Sequence, residues 1–177
     1  LFLGIQQKED RLVSEINISI DSIEDGKNLI GSDDIYNIIQ HYTGFDIDRA
    51  ALRNFSPDKI ETLLNKDKRI KSANVYFGKN GRMFVEVEQR KPIVRVDVTG
   101  GEDYYLDKEG AHIPVQNSSI LRLPVATGNI GAFRADYKEE LNNSLKDVYE
   151  IATQIEEDAF LRSLIEQIHI KENKEIV

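Results

Sequence analysis

Three histidines, His41, His112 and His169, are the side chains best suited to bind a metal or carry a proton near neutral pH. They show no HExxH or HxH pattern and have no carboxylate at ligand spacing, so their expected role is that of ordinary surface or boundary residues. There is no GxSxG elbow, and Ser118-Ser119 sits in a polar stretch, which argues against a serine hydrolase. Asp107, Glu109 and Gly110 resemble part of a calcium loop, but further oxygen ligands and a later bidentate Glu are missing, so a tight hairpin turn is the expectation. Gly128-Asn129-Ile130-Gly131 is a lone GxxG without a basic flank and reads as a turn. The absence of Cys removes disulfides, thiolate ligands and Cys nucleophiles. No catalytic residue, metal site or cofactor site is expected.

Charge is the other source of chemistry. The net charge of −8 argues against a general nucleic-acid binder. Between Leu64 and Arg95, nine bases face three acids; between Asp136 and Arg162, eight acids face three bases. This asymmetry suggests two modules. The cluster Lys66-Asp67-Lys68-Arg69-Ile70-Lys71 could meet phosphate or anionic lipid, but it also reads as a solvated helix end whose cations suit the macrodipole. The acidic stretch is expected to be the solvated face of a long helix.

The elements that would position these residues follow from periodicity. Ile16, Ile18 and Ile20 alternate as a half-buried strand, followed by an Asp25-Gly26 turn. With Ser32 as N-cap, Ile35, Ile38, Ile39 and Tyr42 form one helix face that Gly44 ends. Ser56 and Pro57 open a second helix with Ile60, Leu63 and Leu64 inward. Ala73, Val75 and Phe77, then Asn80-Gly81, then Met83, Val85 and Val87 read as a hairpin. Pro92 marks a strand edge or break. Strands are expected over Ile93 to Val98, Tyr104 to Leu106 and Ala111 to Val115, then an amphipathic helix of about five to six turns from Leu141 to Ala159. Alternation returns at Gln167 to Ile170, before a turn into Ile176-Val177. No window reaches the roughly 20 apolar residues of a membrane span.

Three motifs in order add a family reading. Glu88-Gln89-Arg90-Lys91-Pro92-Ile93, then Tyr105-Leu106-Asp107-x-x-Gly110, then Leu123-Pro124 followed by Gly128, together resemble the FtsQ/DivIB cell-division family. The β-α-α-β-β order ahead of them resembles a POTRA domain. The expected class is α+β: a POTRA domain over 15–96, then a mainly antiparallel β domain with one long amphipathic helix over 97–177, with 1–14 as linker.

The resemblance implies a membrane anchor before Leu1, of which Leu1 to Ile5 could be the trailing edge, and final strands after Val177. It also implies a single-pass inner-membrane protein facing the periplasm, without enzymatic activity, cofactor or small-molecule substrate. Its implied work is binding FtsB- and FtsL-like division proteins and helping direct septal peptidoglycan synthesis. The family's partner strand lies near the C-terminal end, so Gln167, Ile168, His169, Ile170 and Lys171 are the candidate residues near that surface. Arg90, Lys91, Pro92 and Ile93 are expected at the module junction. Competing readings are a POTRA protein of outer-membrane β-barrel assembly or secretion, and a small enzyme with an unrecognised site.

Overall fold

Alternating isoleucines form β1 (Glu15–Ile20) in the computed structural model, which describes residues 11–23, 27–44, 46–115 and 121–177. The expected Asp25-Gly26 turn, Ser118-Ser119 and Leu1 to Ile5 lie outside those residues. β1 runs parallel to β3 (Arg82–Gln89), which pairs antiparallel with β2 (Ile70–Phe77), giving the order β1-β3-β2. Helices α1 (Ser32–Thr43) and α2 (Pro57–Leu64) bury Ile35, Ile39, Ile60 and Leu64 in one core with Val75, Met83, Val85 and Val87. A sheet with one apolar face needs such a cover, because each buried aliphatic side chain stabilises by about 1.5–3 kcal/mol.

Local chemistry sets the ends of these elements. Gly31, rather than Ser32, is the N-cap of α1; the Asp34 carboxylate turns back to accept the Gly31 N–H at 3.0 Å, which leaves Ser32 inside the first turn. Gly44 closes α1 at φ 68°, where a Cβ would be strained. In the hairpin, Asn80 and Gly81 both adopt left-handed conformations, at φ 64° and 80°. A side chain at Gly81 would strike the Leu12 carbonyl, because residues 11–14 pass beside the turn. That segment is held by Val13 N–H to the Ala50 carbonyl and Leu52 N–H to the Arg11 carbonyl.

The chain divides into two compact units between Arg90 and Lys91. The second unit contains β4 (Pro92–Val96), β5 (Tyr104–Asp107), β6 (His112–Pro114), β7 (Val125–Gly128) and β8 (Gln167–Ile170), in the order β6-β5-β4-β7-β8. β4 is its middle strand, so 92–96 belongs with this sheet rather than with the first module. Of the two readings of Pro92, the break at the turn into the second module holds and the strand edge does not: Pro92 opens a central strand just after the division between units, at a first position that tolerates a missing N–H.

The sheet is mixed rather than mainly antiparallel: β4-β5 and β5-β6 are antiparallel, while β4-β7 and β7-β8 are parallel. The parallel pair β7-β8 needs a crossover, and helix α3 (Ser144–Glu157) supplies it. Leu145, Val148, Ala152 and Ile155 of α3 bury against Val94, Val96, Tyr104, Leu106, Ala126 and Ile168. The expected long helix is in fact two. Asn143 caps α3 by accepting from Leu145 and Lys146 N–H groups, and Asp158 ends it while capping α4 (Ala159–Leu164). Leu141, expected on the buried stripe, precedes the helix and is 89% exposed.

Candidate functional site

β8 places Ile168 and Ile170 in the core and turns Gln167 and His169 to solvent, as alternation dictates. On the solvent face, Thr127 Oγ1 lies 2.9 Å from His169 Nδ1 and accepts from Gln167 Nε2 at 2.9 Å. The outer backbone edge of β8 is already engaged. His169 exchanges both main-chain hydrogen bonds with Val177, at 2.8 and 3.0 Å, and Lys171 N–H donates to the Glu175 carbonyl at 2.9 Å. Residues 175–177 thus fold back as an arm along the candidate segment. Ile176 and Val177 on that arm are 39% and 67% exposed.

The other candidate groups fall into structural roles. His41 is exposed on α1, while His112 and His169 sit on β6 and β8, at opposite ends of the second sheet. Among the described residues, no three His, Asp or Glu side chains gather as metal ligands. Asp107 is buried, and its carboxylate accepts the Ala111 N–H at 2.7 Å, closing the turn in which Gly110 has φ 78°. Sequence reading missed what holds this turn from outside. Tyr149 donates its O–H to the Lys108 carbonyl at 2.8 Å, Tyr137 donates to that of Gly110 at 3.3 Å, and Lys138 donates to that of Glu109 while lying 4.0 Å from the Tyr149 ring centroid. Tyr104, in the same aromatic group, has its pKa pushed up to about 12 by burial.

The basic cluster is divided by the fold. Arg69 is buried and forks onto Asp67, with Nε–Oδ1 at 3.0 Å and Nη2–Oδ2 at 2.7 Å, and it also reaches Asp34 at 3.4 Å. Lys71 pairs with Glu88 at 3.2 Å but stays exposed, as do Lys66 and Lys68. Gly128-Asn129-Ile130-Gly131 is a turn, with the Asn129 N–H on the Ile170 carbonyl and Ile130 buried.

Residues 11–88 match the POTRA-like domain family, and residues 91–177 match the family described as FtsQ/DivIB, C-terminal related. The chain is of the FtsQ/DivIB type. No curated protein matches it. It is a division-associated POTRA protein, and both families are generally non-enzymatic scaffolds. FtsQ/DivIB proteins are membrane-anchored; among the described residues, no helix is long and apolar enough to cross a membrane.

The FtsQ/DivIB motif residues have clear physical duties. Gln89 sits on the core face of β3 after Val85 and Val87, and its burial at 1% exposure was not anticipated. The available signal was a polar residue at the fourth inward position of an alternating strand, after Met83, Val85 and Val87. Arg90 N–H donates to the Arg69 carbonyl, Lys91 is exposed, and Pro92 and Ile93 are buried as β4 begins. Gly128, at φ 95°, lies so close to Ile170 that any side chain would collide with that residue's carbonyl.

Proposed function

We propose that this chain is an extracytoplasmic, non-enzymatic scaffold of the bacterial division machinery. In this reading it belongs to a single-pass inner-membrane protein facing the periplasm, which binds FtsB- and FtsL-like division proteins and helps direct septal peptidoglycan synthesis. The observation that carries the reading is the succession of two family matches, POTRA-like and then FtsQ/DivIB C-terminal, over adjoining stretches of one chain.

The proposed contact is the end of the second sheet made by Gln167–Lys171 and the arm outside it. His169 and Val177 exchange both of their hydrogen bonds, so the N–H and C=O of Ile176 between them turn outward. An extended partner segment can add to such an edge, main-chain bonds supplying affinity and side-chain pockets selectivity. Exposed Ile176 and Val177 support this placement.

The test is a titration of the chain against the periplasmic segments of FtsB and FtsL from the same organism. Saturable binding is expected, with Ile176→Asp weakening it by about tenfold. No binding of either segment would overturn the partner assignment, and equal binding by Ile176→Asp would move the contact elsewhere.

A further inference from the structure

The first sheet has two edges, and they differ. On β2, the Gly78 N–H bonds to the Arg82 carbonyl, so the N–H groups of Ala73, Val75 and Phe77 turn away from β3. Glu61 of α2 accepts the Val75 N–H at 2.8 Å, placing a carboxylate in the middle of that edge. On β1, the Asp21 N–H bonds to the Val87 carbonyl, so Asn17 and Ser19 bond inward while the N–H and C=O of Ile16, Ile18 and Ile20 point outward. Among the described residues, none bonds to those outward groups. The three isoleucine side chains are only half-buried, at the margin of the core.

We propose that the outer edge of β1 receives an added strand from another protein: an antiparallel extended segment with alternating apolar residues and a basic residue at each end. Centred on Ile18, it would form about six main-chain hydrogen bonds, and its apolar residues would cover Ile16, Ile18 and Ile20. The charge requirement comes from exposed Glu15 and Asp21, which bracket the open run. A second copy of β1 in this register would set Glu15 opposite Asp21 at both ends, and like charges directly opposite destabilise a pair. A segment with Lys or Arg there turns both repulsions into attractions. Arg82, 4.0 Å from Glu15 with both side chains about half-exposed, offsets little of that charge. Natural chains usually cover or charge an exposed apolar edge, and this one carries charge only at its two ends.

The experiment uses the whole chain and two fluorescent peptides, Lys-Val-Thr-Val-Thr-Val-Lys and the same core with Glu at both ends. Saturable anisotropy binding of the Lys-ended peptide is expected, with backbone amide shifts over Glu15 to Asp21. The double variant Glu15→Lys/Asp21→Lys weakens that binding by about tenfold and prefers the Glu-ended peptide, since two attractive pairs become repulsive. Ile18→Pro removes an outward N–H that the fold does not use and abolishes binding. Both charge positions are exposed, so the double variant decides the matter even if Ile18→Pro does not fold. The proposal is overturned by absence of saturable binding, by unchanged affinity in the double variant, by amide shifts at Ala73 to Phe77 instead, or by dimerisation of the chain through β1.

Discussion

Gln89 Oε1 accepts the backbone N–H of Leu29 at 2.7 Å, across 60 positions of sequence, while its Nε2 donates to the Asp21 carbonyl and to Asn28 Oδ1. One buried amide thereby ties the approach to α1 to the end of β3, immediately before the chain enters the second sheet. Its placement on the core face is tolerated because each hydrogen bond it loses to water is replaced.

Gln89→Leu keeps the volume and removes these bonds, stranding the Leu29 N–H and the Asp21 carbonyl. The expected loss is about 2–4 kcal/mol, from two backbone groups left without partners. Urea unfolding followed by circular dichroism measures it, and a loss below about 0.5 kcal/mol would show that water replaces the amide.

The Asp67–Arg69 fork should make stability depend on pH. Burial pushes the Asp67 carboxyl upward, but its hydrogen bonds and attraction to Arg69 outweigh this and hold it below the ordinary carboxylate range. A depressed folded-state pKa contributes stability above the unfolded value, and that contribution is lost as pH falls through the folded one. Asp67→Asn should therefore be less stable than wild type by about 1–2 kcal/mol at pH 7, with the gap closing as pH falls through the depressed folded-state value. Paired urea melts across that range check it, and a gap constant with pH would refute it.

Asn143→Ala removes the side chain that accepts from Leu145 and Lys146, at 2.9 and 3.4 Å. The expected cost is about 1 kcal/mol, typical of a lost N-cap. Amide exchange should rise first in the opening turn of α3, and uniform acceleration across both units would contradict this assignment.

Gly128→Ala introduces a Cβ at φ 95°, against the Ile170 carbonyl. Backbone strain and collision should destabilise the second sheet by at least about 2 kcal/mol. Native-state exchange should show β7 and β8 opening together, because they share this contact. Unchanged protection at Ile168 and Ile170 would rule it out.

The elements readable from sequence carried their signal locally. Ile16, Ile18 and Ile20 show a period of two, Asn80-Gly81 supplies two residues suited to positive φ, and Pro57 opens a helix with its fixed φ. β7 gave no such signal: Val125 to Gly128 is four residues long, and its strand character comes from pairing with β4 on one side and β8 on the other. The length of α3 was overread because apolar spacing continues through Leu141 and Ala159, whereas capping by Asn143 and Asp158 ends the helix. For the candidate site, the alternation of Gln167 to Ile170 predicted which side chains face out. The turn into Ile176-Val177 was legible as well and does fold back on β8, but the bond register, His169 on Val177 and Lys171 on Glu175, was not, since alternation reports side-chain faces and not pairing.

By itself, the sequence determined the alternating strands, the two helices of the first unit, the hairpin and the ordered motifs of the FtsQ/DivIB type, because each depends on residues a few positions apart. Only the tertiary structure decided that Pro92 begins a central strand, that β7 and β8 run parallel across α3, that Arg69 is buried on Asp67, and that Glu61 meets the Val75 N–H on the outer edge of β2. These are outcomes of long-range pairing. A backbone N–H such as that of Val75 can be satisfied by a distant Glu61 or by a neighbouring strand with similar local geometry, and only the assembled fold selects between them.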